Sequence, residues 1–328
     1  MKWRKNFRDF TNFSNKNNIN VIAGIAPGLD FDFKNFNNHK NKEIGDDFTL
    51  LYKKAKQLFD DGASSVALLL DDIPENYKKK FGSKISEGTS HGVLANTLRE
   101  SLGKNIYLVP RIYADELIKD EPHYLKDLAS VLNPKTKVFY CGKNVVSKKL
   151  TNFSKVNKIL SNEIIFWDNY YANDYCPRRL FIGPYVGRED LKNVMINPTG
   201  LINTDLLILD IFASSVKHKP SKNEWRIILN THGVPKVFNK VKQFFSGPNF
   251  GSNPSPNYFD LNTRYFEALD FLLWKWKGEL SREWYPYLFG LKHDLQLKKN
   301  ILTSERLVKT QTAPLSKYLN KNLLKGEL

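Results

Sequence analysis

Six short apolar, largely β-branched runs punctuate the first two-thirds of the chain. They are INVIAGIAP (19–27), SVALLLDD (65–72), NIYLVPRIY (105–113), KVFYCG (137–142), EIIFWDN (163–169) and KNVMINP (192–198). They are apolar almost throughout rather than alternating, as parallel strands covered on both faces must be. Between them the spacing turns helical. In DDFTLLYKKAKQLFDDG (46–62), Phe48, Leu51, Ala55, Leu58 and Phe59 fall on one stripe, an Asp stands as cap at the start and Gly62 ends the run. SEGTSHGVLANTLRESLG (86–103) and HYLKDLASVLN (123–133) follow the same logic. Strand and helix alternating through short connections predict an α/β fold with a parallel sheet. Six such units are visible, two fewer than a (β/α)8 barrel holds.

Beyond about Val216 the rhythm changes. NEWRIILNTHGVPKVFNKVKQFF (223–245) and RYFEALDFLLWKWKGEL (264–280) read as helices, separated by SGPNFGSNPSPN (246–257), a turn-rich stretch that reads as a linker. The expected organisation is a strand-and-helix domain over 1–218 and a helical C-terminal region over 219–328.

Composition narrows the class. The chain has 328 residues, 41% of them hydrophobic, enough for one large core and an appendage. Its longest apolar candidate, LLILDIFASSV (206–216), falls well short of the roughly 18 residues of a membrane span. The N-terminal MKWRKNFRDF is basic but lacks the apolar segment of a secretory signal, so a cytoplasmic location is expected. Two cysteines, Cys141 and Cys176, make no disulfide framework. The formal charge of +16 invites a nucleic-acid reading. Yet the lysines are dispersed and accompanied by many asparagines, a drift in composition, and no finger or RNP-like strand is present. No specific nucleic-acid partner is expected. A basic binder of acidic polymers is the rival that charge alone supports.

Polar and aromatic residues collect where the strands end. Asp71 and Asp72 close the second run, Tyr113 the third and Tyr140 with Cys141 the fourth. Trp167, Asp168 and Asn169 close the fifth, and Asn197 the sixth. The carboxyl ends of parallel strands are where such sheets place their chemistry. Two neighbouring carboxylates resist ionising together, which splits their pKa values and suits acid/base cleavage of a glycosidic bond. A Trp offers a flat wall for a sugar ring, and Asn side chains offer paired donors and acceptors. Blander readings stand beside these. Asp71 and Asp72 could be loop or helix-capping acids, or oxygen ligands of a divalent metal with Asp168 or Asp174, although no His–carboxylate spacing supports a metal. His91 lies inside a helical pattern as a packing histidine. Cys141 lacks a partnered base and reads as a small buried filler. GPYVGR, with Arg188, reads as a structural loop rather than a phosphate cradle, and FLLWKWKGEL (271–280) as an ordinary buried helix face.

Taken together, LLLDDIP, FWDNYYANDY, RRLFIGPYVGR and NVMINP resemble glycoside hydrolase family 84, the protein O-GlcNAcases and related bacterial β-N-acetylglucosaminidases. VIAGIAPGLDFDF and GKNVVSKKL resemble flanking segments of the same family, so the resemblance runs from about residue 19 to about 216. It implies a (β/α)8 barrel and a retaining hydrolase in which the substrate's own 2-acetamido group attacks, through an oxazoline intermediate. By matched motif, Asp71 would orient the acetamido nitrogen, and Asp72 would be the general acid and then the general base. Tyr113 would sit beside the acetyl group, Trp167 would line its pocket and Asn169 would hydrogen-bond near it. Asp174 would hold sugar hydroxyls O4 and O6, and Asn197 another hydroxyl. No metal or other cofactor is implied, and the expected partner is a GlcNAc-bearing glycan or glycoprotein. The family's opening Gly-rich turn and its "P-K-D-D"-like segment have no counterpart here, and MKWR resembles the stretch just after the second barrel strand. The expectation is therefore an N-terminally incomplete barrel of about six βα units. An impaired remnant that only binds GlcNAc-bearing ligands is the alternative to an active enzyme.

Overall fold

A computed structural model of the chain describes residues 2–27, 30–34, 36, 45–71, 73, 77–82, 86–119, 121–147, 153, 155–174, 180–188, 191–217, 222–245 and 263–298. In chain order the elements are α1 (Lys2–Lys16), β1 (Ile22–Ile25), α2 (Asp46–Asp60), β2 (Ser65–Leu69), α3 (Tyr77–Phe81), α4 (Glu87–Leu102), β3 (Tyr107–Val109) and α5 (Tyr124–Val131). There follow β4 (Lys137–Tyr140), β5 (Ile164–Asp168), β6 (Val194–Ile196), α6 (Ile202–Lys217), α7 (Lys222–Thr231), α8 (Thr263–Trp274) and α9 (Glu279–Lys298). All six expected strands form. They make one sheet in the order β1-β2-β3-β4-β5-β6, with every resolved pairing from β1 to β5 parallel. Sequential parallel order, with α-helices described between each of the first four strands, is the topology of a (β/α)8 barrel with two units fewer. The turn-rich stretch 246–257 lies outside the described residues.

By packing, the chain divides into two compact units. One comprises Met1–Val145, Asn152–Trp167 and Lys192–Met195; the other comprises Val146–Thr151, Asp168–Leu191 and Ile196–Leu328. In the first unit the two faces of the sheet differ. Ala23, Ile25, Val66, Leu68, Leu108, Val138 and Tyr140 join the large core with Leu51, Ala55 and Leu58 of α2, Leu94 and Leu98 of α4 and Leu125 and Leu128 of α5. The opposite face carries a smaller cluster of Ala67, Val109 and Phe139 with Leu69, Tyr107, Ile165, Trp167 and Met195. Side chains alternate along each strand, so runs apolar at successive positions supply both faces at once. In the second unit α6 packs on α7 and α9, and α8 packs on α9. No described helix is long and apolar enough to cross a membrane.

Two local outcomes refine the sequence reading. The α2 N-cap is Gly45 and not an aspartate; Asp46 and Asp47 lie in the first turn, where carboxylates oppose the positive end of the helix dipole. Asp47 also accepts the Asp32 backbone N–H at 2.8 Å. Gly62 does end the run, at φ +99°, and a Cβ there would lie 2.5 Å from Thr11 Oγ1.

Helix α1 is held by polar contacts beside Phe7, which packs on the large core. Its buried residues are Thr11 and Ser14. Asp61, just past α2, receives Arg4 Nε and Nη2 at 2.8 Å each and pairs with Arg8 Nε at 2.9 Å, while Thr11 Oγ1 donates to its backbone carbonyl at 2.7 Å. The Arg4 guanidinium holds the Asp61 carboxyl below the usual carboxylate range. A lowered folded-state pKa stabilises above the unfolded value of about 3.9, and that contribution disappears as pH falls through the folded value. The stability difference between wild type and Asp61→Asn should therefore be present at neutral pH and shrink below about pH 4. Urea unfolding at a series of pH values measures it, and a difference independent of pH contradicts the assignment.

Helices α4 and α5 approach closely through glycine. A Cβ on Gly88 would run into the Tyr124 carbonyl oxygen and lie 2.9 Å from Leu128 N, and one on Gly92 would strike Val131 Cγ2. Helix propensity alone favours Gly→Ala by up to about 1 kcal/mol. Gly88→Ala should instead lower the stability by roughly 1–3 kcal/mol, as overpacking does. Thermal unfolding decides the sign.

Candidate active site

Among the described candidate residues, Asp71 follows β2, Tyr113 follows β3, Trp167 and Asn169 stand at the end of β5 and Asn197 follows β6, while Asp174 lies six residues beyond β5. In the first unit, Asp71 is half-buried, two positions beyond Leu69, the last residue of β2. Asp72 lies outside the described residues. Tyr113 and Trp167 are both half-buried and pack on the small cluster of Ala67, Val109 and Phe139. Trp167 meets Phe139 edge-on at 5.6 Å between centroids, and Tyr107 stacks on Phe139 at 5.6 Å. Two aromatic side chains thus stand on the sheet face opposite the large core.

Tyr113 is fixed from both directions along the chain. Its carbonyl accepts Cys141 N–H at 2.7 Å. Downstream, Asp115 N–H donates to the Gly142 carbonyl at 2.8 Å, and Tyr140 donates its hydroxyl to Asp115 Oδ1 at 2.9 Å. Upstream, the Arg111 N–H donates to the Tyr124 hydroxyl at 3.0 Å. The Arg111 guanidinium forks onto Glu87, Nε to Oε1 at 2.6 Å and Nη2 to Oε2 at 2.5 Å. Both partners are buried, and Glu87 opens α4, where its charge also faces the positive helix end. Burial pushes the Glu87 carboxyl above its usual range, opposed by the pull of Arg111.

His91, one turn along α4, is fully buried between the rings of Phe33 and Tyr124. Its Nδ1 lies 2.8 Å from the Tyr124 hydroxyl. That hydroxyl already accepts from Arg111, so its own proton points to Nδ1 and leaves the imidazole proton on Nε2. Burial and the Arg111 charge depress His91 to about 3, so it is neutral at ordinary pH. The packing role expected for this histidine holds, and so does the burial expected for Cys141.

In the second unit Asn169 is buried, Asn197 half-buried and Asp174 exposed. Asn197 Nδ2 donates to Asn169 Oδ1 at 3.0 Å. Asp168, weighed from sequence as an oxygen ligand, has its carboxylate committed to protein donors instead. Oδ2 receives Tyr185 OH and Arg188 Nε, both at 2.7 Å, and Oδ1 receives Tyr170 N–H at 3.0 Å.

Sequence reasoning passed over Glu87, Arg111 and Tyr185, and placed Arg188 only in a structural loop, without its partner. The available signal was an arginine set inside an apolar stretch, in LVPRIY and again in FIGPYVGR, since a buried arginine requires a buried acid. Breaking such a pair on one side leaves an unpaired buried charge, so Glu87→Gln should cost about 3–5 kcal/mol of stability. Glu87→Gln combined with Arg111→Met should recover much of that loss in urea unfolding. Equal loss in the single and double variants contradicts the ion-pair reading.

The comparisons with known proteins agree on one group. Residues 2–211 match the family model NAGidase, beta-N-acetylglucosaminidase. Protein O-GlcNAcase of Rattus norvegicus and that of Mus musculus are each 34% identical over 197 residues, covering 55% of this chain and 20% of theirs. The chain thus spans about a fifth of the length of these relatives. Among solved structures, a variant of the Thermobaculum terrenum O-GlcNAc hydrolase superposes with a TM-score of 0.67 at 16% identity, covering 99% of this chain and 77% of that chain. At that identity the likeness concerns the fold.

Proposed function

The chain belongs to the β-N-acetylglucosaminidase family of glycoside hydrolases, and from that premise we propose that it removes terminal β-linked GlcNAc with retention of configuration. The observation that carries the reading is the family match across the whole strand-and-helix region, 2–211, which includes every candidate residue. The 34% identity to the two protein O-GlcNAcases supports an O-GlcNAc-modified protein as the substrate. Residues 1–218 are assigned to catalysis and 219–328 to a helical appendage.

The proposed chemistry uses the acetamido group as nucleophile. Asp72 protonates the glycosidic oxygen while the acetamido carbonyl oxygen attacks C1, and the aglycone leaves as its alcohol. Asp71 polarises the acetamido N–H, raising the electron density on the attacking oxygen and stabilising the oxazoline. Asp72, now ionised, takes a proton from water as it attacks C1, and the oxazoline opens to GlcNAc. Adjacent acids suit this scheme because neither attacks carbon; one serves the acetamido nitrogen and the other the leaving oxygen. Tyr113 and Trp167 bound the acetyl group, Asn169 hydrogen-bonds near it, and Asp174 and Asn197 hold hydroxyls.

The six-strand order leaves β1 and β6 as the sheet edges among the described residues. Edges without a pairing strand among the described residues favour a second reading, GlcNAc binding without turnover. Release of a fluorescent aglycone from its β-N-acetylglucosaminide separates the two. Asp72→Asn should lower kcat by roughly 10²–10⁴-fold, the usual worth of a general acid/base. Turnover unchanged in that variant removes Asp72 from its role. Saturable GlcNAc binding with no turnover in wild type establishes the second reading.

A further inference from the structure

Asp168 follows Trp167 and precedes Asn169, yet it points into protein and is fully buried. Its carboxylate receives Arg188 twice, Nε to Oδ2 at 2.7 Å and Nη2 to Oδ1 at 3.1 Å, besides the Tyr185 hydroxyl and the Tyr170 amide. Arg188 reaches further. Its guanidinium lies 4.6 Å from the Tyr170 ring centroid and 5.7 Å from that of Tyr185, and it donates to the carbonyls of Val186, at 3.2 Å, and Ser147. One planar cation therefore ties the end of β5 to residues 147 and 186.

The main chain of Asp168 has a second task. Its carbonyl accepts the Asn197 N–H at 2.9 Å, and Asn197 returns its side-chain amide to Asn169 Oδ1 at 3.0 Å. The two candidate sugar-binding asparagines are thus hydrogen-bonded to each other and joined through one backbone unit, whose side chain is clamped. An apolar filler could match such a buried pair in stability. It could not reproduce the direction that a forked guanidinium imposes on a carboxylate.

We infer that Asp168, Arg188 and Tyr185 are positioning residues that set the orientation in which Asn169 and Asn197 meet the sugar. This rests on the proposal that those asparagines bind GlcNAc. The test is a double-mutant cycle on kcat/KM for an aryl β-N-acetylglucosaminide, with folded fraction followed by circular dichroism. Arg188→Lys keeps the charge but loses the fork, and should lower kcat/KM by roughly 10–100-fold, the scale of a misplaced binding group. In an Asn169→Ala/Asn197→Ala background the same change should cost about twofold or less, because nothing remains to be positioned. Equal losses in both backgrounds describe a plain structural staple and overturn the inference while leaving the proposed activity intact. Tyr185→Phe removes one donor only, and replaces Arg188→Lys in the cycle if that variant does not fold. If wild type shows no turnover, the cycle is read on the Kd of an oxazoline-shaped GlcNAc thiazoline. Neither turnover nor binding defeats the proposed function itself, and this inference with it.

Discussion

A buried charge needs a partner of fixed direction, and two such pairs stand at the ends of strands. Glu87 with Arg111 follows β3, and Asp168 with Arg188 ends β5. In each case a guanidinium forks onto a carboxylate that water does not reach, and the desolvation cost of both ions is offset only while the geometry holds. The carboxylate then passes that constraint to its surroundings: Glu87 belongs to a helix, so Arg111 and the segment leading to Tyr113 are referenced to α4. Asp168 belongs to a strand, so the peptides around it are referenced to the sheet. Loops that follow strands lack ladder hydrogen bonds, and these pairs supply the rigidity that the backbone there cannot.

The scheme also assigns the neighbouring polar groups. Tyr124 accepts from the Arg111 amide and directs its proton to His91, which is kept neutral by the same burial and the same cation. Tyr185 and Tyr170 flank Arg188 with their rings, so the cation is enclosed by aromatic faces as well as by acceptors. A residue at a strand end is thereby surrounded by groups whose protonation and orientation are settled before any ligand arrives. That is what a precise binding surface requires.

Much of the fold was legible because parallel strands declare themselves. Runs such as VALLL and VFY can be apolar at every position only if both faces are covered, and all six became strands in sequential order. The helix α4 was readable from Ser86 and the stripe that follows, and Ser86 does cap it by accepting from Thr89 N–H. The cap of α2 was misassigned because Gly45, Asp46 and Asp47 are all acceptable at an N-terminus and only backbone geometry separates them. The strand-end acids, aromatics and amides were legible from their place after each apolar run. Their supports were not. Glu87 and Arg111 are 24 residues apart, and Asp168 and Arg188 are 20 apart, without any periodicity that links them. A pairing made across the tertiary structure leaves only a weak trace, a charge in apolar surroundings.

Helix α1 differs from every other helix of its unit in what fastens it. Trp3, Phe10 and Phe13 are more than half exposed; Phe7 packs on the core, and Arg4, Arg8 and Thr11 converge on Asp61. An element held by little apolar area and one charged node opens on its own, at a free energy below that of the whole domain. If that node governs its attachment, the α1 amides should exchange with solvent at a free energy below that of global unfolding, and faster as salt rises.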